Sequence, residues 1–215
     1  DGQVLTSTGS GVAWEAAGSS GPTFKTFGTG SIMIGDDATG TINAANYNTG
    51  VGIDVFAALT TGDNNIAIGH GALDGGNPSY NVAIGVNAIG AVATGSSNVA
   101  IGTGAMGVNT SGTLGVAVGH DAMAANTTGQ SNTAVGCNAL DGIISNHFNT
   151  AIGNNALGGA VTADYNTAVG GNALLVNGSG YYNNAFGFAE ECSNRLGEDP
   201  TDHDSVFNKI NDFFD

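Results

Sequence analysis

The chain has 215 residues, of which only 10% are charged and 37 are glycine. Three basic residues (Lys25, Arg195, Lys209) face eighteen acidic ones, and the net charge of −15 excludes a nucleic-acid-binding surface and disfavours adsorption to anionic membranes. An apolar content of 41% with regularly placed Ile and Val argues against disorder, and no run approaches the roughly 20 apolar residues of a membrane span.

Residues 1–30 hold the single tryptophan, Trp14, with Phe24 and Phe27. They precede the first repeat and read as an N-terminal cap, or as a linker to a preceding fibre module. The start, at Asp1 rather than methionine, carries no signal-peptide pattern.

From residue 31 to 189 the chain repeats itself. Aligned on one glycine, ten copies fall at Gly35, Gly52, Gly69, Gly85, Gly102, Gly119, Gly136, Gly153, Gly170 and Gly187, at intervals of 17 with a single 16. A branched or aromatic residue stands immediately before the glycine, as Ile68 does. Alanine stands two before it in eight copies and asparagine four before it in eight. Alanine recurs three after it, usually followed by Leu, Ile or Met. The consensus N-[VIT]-A-[IV]-G alternates with period 2 and predicts a short strand, with Val, Ile and Thr on one face and Asn, Ala and Gly on the other. The branched face is expected to fill the interior, and the small face to allow close approach of another chain. Glycine at this density costs about 1 kcal/mol per residue in a helix, so helix is rejected.

One 17-residue unit cannot bury its own apolar face, so the units must stack. The expected fold is all-β, a parallel β-solenoid of about ten coils roughly 45–50 Å long, with the recurrent asparagines forming an amide ladder from coil to coil.

Residues 190–215 change character. "FAEECSNRLGEDPTDHDSVFNKINDFFD" carries eight acidic residues, and Val206, Phe207, Ile210, Phe213 and Phe214 sit at helical spacing after Ser205, a candidate N-cap. This segment reads as an acidic C-terminal cap with a short helix, docked on the last coil or associated with its own copies.

The chemistry on offer is sparse. Glu198, Asp199, Asp202 and Asp204 supply oxygen ligands of the kind calcium takes, without the EF-hand spacing; Asp199, Asp202 and Asp204 are weak metal candidates against a default of a solvated acidic loop. Asp37 and Asp54 share one repeat position in consecutive coils and read as a solvated pair. Asp74, Asp121, Asp141 and Asp164 have no acid at the matching position of a neighbouring coil. His70 and His120 lie three coils apart, too far to share a metal within one chain. Cys137 reads as a small buried or half-buried residue, and Thr133, Thr150 and Thr167 as interior filling. His203 lies among Asp202, Asp204 and Ser205, but sequence neighbours do not make a triad. No catalytic residue or cofactor is assigned. Tyr80, Phe148, Tyr165 and Tyr182 recur just before the motif asparagine and are the candidate receptor-binding residues, together with the variable loops at about 74–80, 90–97, 107–113, 124–131, 141–148 and 158–165.

"NNIAIGHGAL", "YNVAIGVNAI", "SNVAIGTGAM" and "SNTAVGCNAL" resemble the head repeat of YadA-like trimeric autotransporter adhesins, similar to N-S-V-A-I-G-x-x-[SA]. The opening "DGQVLTSTGSGVAWEAAG" resembles a segment common in bacteriophage tail fibres, where similar head repeats occur. The period of 17 is longer than the family's, and neither the coiled-coil stalk nor the membrane anchor is seen. The resemblance implies a left-handed β-roll, a homotrimer and a non-enzymatic attachment role on a cell surface or virion fibre. Its partners would be copies of itself, neighbouring fibre modules and a cell-surface glycan or protein receptor. A purely structural spacer is the alternative; a polysaccharide-acting enzyme and an ice-binding solenoid stand further off.

Overall fold

The computed structural model describes residues 5–8, 11–14, 23–35, 44–90, 92–159, 163–175 and 179–188, with backbone course only for 5–8, 11–14, 23–27 and 92–93. Two short strands, β1 (Leu5–Thr8) and β2 (Gly11–Trp14), pair antiparallel. Next come β3 (Thr23–Phe27), β4 (Ser31–Gly35), β5 (Thr49–Gly52), β6 (Ile66–Ile68), β7 (Gly75–Gly76), β8 (Val82–Ile84), β9 (Val92–Ala93) and β10 (Val99–Ile101). The series ends with β11 (Val116–Val118), β12 (Thr133–Val135), β13 (Thr150–Ile152), β14 (Thr167–Val169) and β15 (Asn184–Phe186).

Ten strands carrying the motif, β4 through β15 without β7 and β9, stack in parallel in chain order, and β3 adds antiparallel to β4 at one edge. The repeat sets the register: Val99 lies opposite Val82 and Val116, Ala100 opposite Ala83 and Ala117. On another side of the coil the short β7 and β9 pair in parallel. The result is an all-β parallel solenoid of about eight turns at about 17-residue spacing, with no helix among the described residues. Residues 36–43, between the first two motif copies, lie outside the described residues, as do those after Phe188. The expected C-terminal helix, and the whole of residues 190–215, also lie outside them.

The two faces of the strands are the reverse of the sequence expectation. The motif alanines, Ala67 through Ala168, are fully buried, as are Asn48, Asn65, Asn81 and Asn149. Ile66, Ile68, Ile101 and Ile152 are exposed, and Thr133, Thr150 and Thr167 are half-exposed on the same outer face rather than inside. The reason is volume. A further buried alanine three after the glycine and a buried Leu, Ile, Met or Phe four after it (Leu73, Ile89, Met106, Leu140, Phe56) also point inward. This large side chain, joined by Leu59 in one turn and Ile143 in another, fills the narrow interior and leaves room only for small residues opposite. The second turn tests this: it carries Val55 and Phe56, and the strand residue is Gly50, where an added Cβ would lie 2.8 Å from the Phe56 ring and 2.9 Å from Val55. Close packing of this kind tolerates no added methyl.

The asparagine ladder forms. Asn48 Oδ1 accepts from the backbone N–H of Asn65 at 2.8 Å and from its Nδ2 at 2.9 Å; Asn65 Oδ1 accepts from the N–H of Asn81 at 3.0 Å, and Asn81 Oδ1 from that of Asn98 at 2.9 Å. Each amide is buried, and each also donates across the turn, as Asn98 Nδ2 does to Gly112 O at 2.8 Å. Gly115 interrupts the ladder: its N–H donates to Asn98 Oδ1, and the room an asparagine would need is taken by the Met106 methyl. A second run spans Asn132, Asn149, Asn166 and Asn183.

Three corners per turn use the left-handed backbone region. Two residues after the glycine stand only Gly, Asn or Asp, from Asp54 (φ 56°) to Asn172 (φ 55°), the types that enter this region most readily. The residue before the motif asparagine also has positive φ, and so does the buried bulky residue four after the glycine, Ile89 at φ 50° included. Strain of roughly 1–2 kcal/mol at such a residue is offset by burying its side chain, at about 1.5–3 kcal/mol. The motif glycine is required twice over: Gly69 has φ 129°, and a Cβ there would lie 2.5 Å from Gly85 O in the next turn.

Candidate functional site

The outward face of the parallel sheet is a continuous surface of uniform character. Its two rows, one and three residues before each glycine, comprise twenty positions: fourteen Ile or Val, four Thr, Asn184 and Phe186. None is charged, in a chain of net charge −15. At about 4.8 Å per strand the strip is about 43 Å long. Monomeric proteins rarely expose contiguous apolar patches beyond a few hundred Å2, and larger ones mark association sites. Sequence reasoning found these residues and turned them inward. The pairing of two small columns with one large one was the signal that would have turned them out.

Beside this face runs the aromatic column. Tyr80, Phe148, Tyr165 and Tyr182 all occupy the exposed left-handed corner before the motif asparagine (φ 57–62°). The structure brings three of them together: Phe148 and Tyr165 stack with centroids 5.1 Å apart and planes 5° from parallel, and Tyr165 and Tyr182 at 5.0 Å and 9°. Tyr80 stands apart, because the same corner is Asn64 in the turn before and Ser97 in the turn after. Parallel stacking uses the ring faces against one another, so the column offers mainly ring edges and tyrosine hydroxyls to solvent. One position earlier, a polar side chain accepts from the backbone of the preceding turn: Gln130 N–H donates to His147 Nδ1 at 3.0 Å and His147 N–H to Asp164 Oδ1 at 2.8 Å. These links fix the backbone that carries the rings.

Two acid couplings join different repeat positions, while the expected Asp37–Asp54 pair lies partly outside the described residues. Asp74 and Asp141, each five after its glycine, are electrostatically coupled to Asp54 and Asp121, each two after the preceding glycine. Matching by identical repeat position misses this coupling, which links position +5 of one turn to position +2 of the turn before. Burial is the main force raising the Asp74 and Asp141 pKa values, and the neighbouring aspartate adds to it; backbone hydrogen bonds oppose. One shielded oxygen of each, Oδ1, has no hydrogen-bond partner. His70 Nε2 lies 3.5 Å from Asp54 Oδ2, and His120 Nδ1 3.1 Å from Asp121 Oδ2, with all four side chains substantially exposed. Asp121 and Asp141 line a shallow groove of about 650 Å3 with Asn138, Val108 and Ile144. Among the described residues no three His, Cys, Asp or Glu side chains converge as metal ligands.

Cys137 is exposed rather than buried or half-buried as expected, because the position after the glycine lies outside the coil. The loops are less free than their variability suggests: Thr94, Thr110 and Thr127 each donate a hydroxyl to a carbonyl of the next turn, at 2.9–3.1 Å. Asp37, Cys192, His203 and the metal candidates Asp199, Asp202 and Asp204 lie outside the described residues.

No described helix is long and apolar enough to cross a membrane. No family model matches the chain, and no curated protein or solved structure is detectably similar to it.

Proposed function

We propose that this chain is a non-enzymatic attachment-fibre module. Three copies lie side by side as left-handed solenoids through their uncharged sheet faces, forming a stiff rod outside the cell or on a virion fibre. The rod presents loops and the aromatic corner to a cell-surface glycan or protein. The observation that carries the reading is the outward strip of twenty uncharged positions. Desolvating such a strip against its own copies gains roughly 25 cal/mol per Å2 and sets no like charges together. The trimer number and the attachment role rest on the resemblance of the repeat to adhesin and tail-fibre heads.

Light scattering coupled to size exclusion tests it. A mass near three times 21.1 kDa supports the trimer. The same measurement on Ile101→Asp/Val118→Asp should give the monomer mass with the solenoid still folded. A native chain that stays monomeric sinks the reading. A second reading, a spacer that binds no receptor, is favoured by the stacking of Phe148, Tyr165 and Tyr182, which consumes the ring faces a sugar would need. Glycan and whole-cell binding by the intact assembly, compared with Phe148→Ser/Tyr165→Ser/Tyr182→Ser, separates the two: loss of binding in the variant supports attachment through the column, and no binding by either supports the spacer.

A further inference from the structure

Apart from the sheet strip, the turns that follow Gly102, Gly119 and Gly136 form the shallow groove of about 650 Å3. Its lining is divided by repeat position. Val108, Ala125 and Ile144 stand six to eight residues after a motif glycine, and Val108 and Ile144 are exposed. Asp121, Asn138 and Asp141 stand two to five after one. The groove therefore has an apolar side and a carboxylate side. It crosses three successive turns and runs roughly 10 Å along the solenoid, at about 4.8 Å per turn. None of its lining residues belongs to the strip through which the copies are proposed to meet.

The carboxylate side is not compensated. Asp121 repels Asp141, and among the described residues no lysine or arginine pairs with either; His120 Nδ1 lies 3.1 Å from Asp121 Oδ2 at the exposed rim. Asp141 Oδ1 is shielded from solvent without a hydrogen-bond partner. Holding that charge half-buried costs stability at neutral pH where an asparagine would not, and groups held at such a cost cluster at functional sites.

We propose that this groove receives a lysine side chain of a partner protein, its four-carbon stem laid on Val108, Ala125 and Ile144 and its ammonium set between Asp121 and Asp141. Charge complementarity selects a cation, and the apolar side selects one with an alkyl stem. A metal ion gains nothing from the apolar side, and no three His, Cys, Asp or Glu side chains converge here among the described residues. A guanidinium seeks both oxygens of one carboxylate, but Asp141 Oδ1 is shielded and Asp121 Oδ2 faces His120. A diamine would set its second charge against Val108 or Ile144, and the lining holds no third acid to meet it. The related acids Asp54 and Asp74 lack the apolar wall, because Asn77 takes the repeat position of Ile144. The assignment is independent of the trimer and of the aromatic column.

Ligand-observed NMR titration of the full chain tests it, with Nα-acetyl-lysine amide as probe and 1,4-diaminobutane as comparison. The expected result is saturable binding of the lysine probe, weakened about tenfold or more in Asp121→Asn/Asp141→Asn, as loss of a hydrogen bond to a charged group requires. Both positions accept neutral residues: Asn138 and Asn155 hold the same left-handed corner as Asp121, and Ala124 and Gly158 the same position as Asp141. Ile144→Ser should also weaken the probe. Asp54→Asn/Asp74→Asn, which removes the same charge elsewhere, should leave its affinity unchanged. Absence of saturable binding overturns the proposal. Equal weakening in the two aspartate pairs overturns it as well, assigning the attraction to net charge. An unchanged affinity in Ile144→Ser removes the stem from the argument and overturns the lysine assignment. Tighter binding of the diamine than of the lysine probe does the same, and gives the groove to a polyamine.

Discussion

The inner and outer faces of the same ten strands obey different rules. Inward, Ala117 sits between Ala100 and Ala134 with no exposed surface, in a column where a turn with a larger neighbour retreats to Gly50. Outward, the positions flanking it vary freely among Val, Ile and Thr, with Asn184 and Phe186 at the end. Period-2 alternation separates the two sets but does not say which is inside. Interior volume decides, and a coil with one large residue per turn at position +4 has space only for the small set.

Substitution can break this comparison. Ala117→Leu should be the most damaging: overpacking costs typically 1–3 kcal/mol, and stacked turns give the added carbons no exit. Thermal melting followed by circular dichroism should show a loss of many degrees, against little change for Val118→Leu, one residue along and outward. Equal effects would refute the inside-out assignment. Asn149→Ala comes next. It leaves the buried Asn166 N–H without its side-chain partner and Ala163 O with only the longer bond, at 3.4 Å, from Asn166 Nδ2, at about 1–3 kcal/mol by the cost of an unmade buried hydrogen bond. Denaturant titration gives the number.

Gly115→Asn sharpens the comparison within the inner face. Alone it collides with Met106 and destabilises. Combined with Met106→Ala it should recover most of the loss by joining the two runs of the ladder, a coupling that a double-mutant cycle measures.

The smallest effect is electrostatic. Asp141 has a folded-state pKa raised above 3.8, chiefly by burial. Its neutral form is therefore favoured by folding: the contribution is fully present below pH 3.8 and lost as pH rises through the folded value. Asp141→Asn should consequently melt higher than the native chain at pH 7, with the gap closing as both are taken below pH 3.8. A gap that widens on acidification would contradict the sign.

How much was legible follows from the same physics. The period, strand positions, parallel stacking and asparagine ladder were open to sequence reasoning, because each repeats at identical spacing. Facing was not, since it depends on summed volume around the coil. The corners were legible but unread: Asp54, Gly71, Asn87, Gly104, Asp121, Asn138, Asn155 and Asn172 at one position spell a left-handed residue. The Asp54–Asp74 and Asp121–Asp141 couplings were hidden because they join different repeat positions, +2 and +5. They could have been found by noting that an acid at +5 occurs only where the preceding turn has one at +2.

The interruption at Gly115 has a consequence for how the solenoid opens. In a stacked-repeat protein each turn is held only by its neighbours, and unfolding advances from one junction to the next. Asn98 Oδ1 still takes the Gly115 N–H, but Gly115 has no side-chain amide to carry the link on to Asn132, and the thioether of Met106 fills the space where one would stand. A methionine in that gap adapts to small displacements that an amide pair would resist. The two runs of the ladder therefore meet at a softer junction within one continuous sheet. Fraying that starts at the C-terminal turns should slow at this junction, which hydrogen exchange on either side of Gly115 would show as a step in protection.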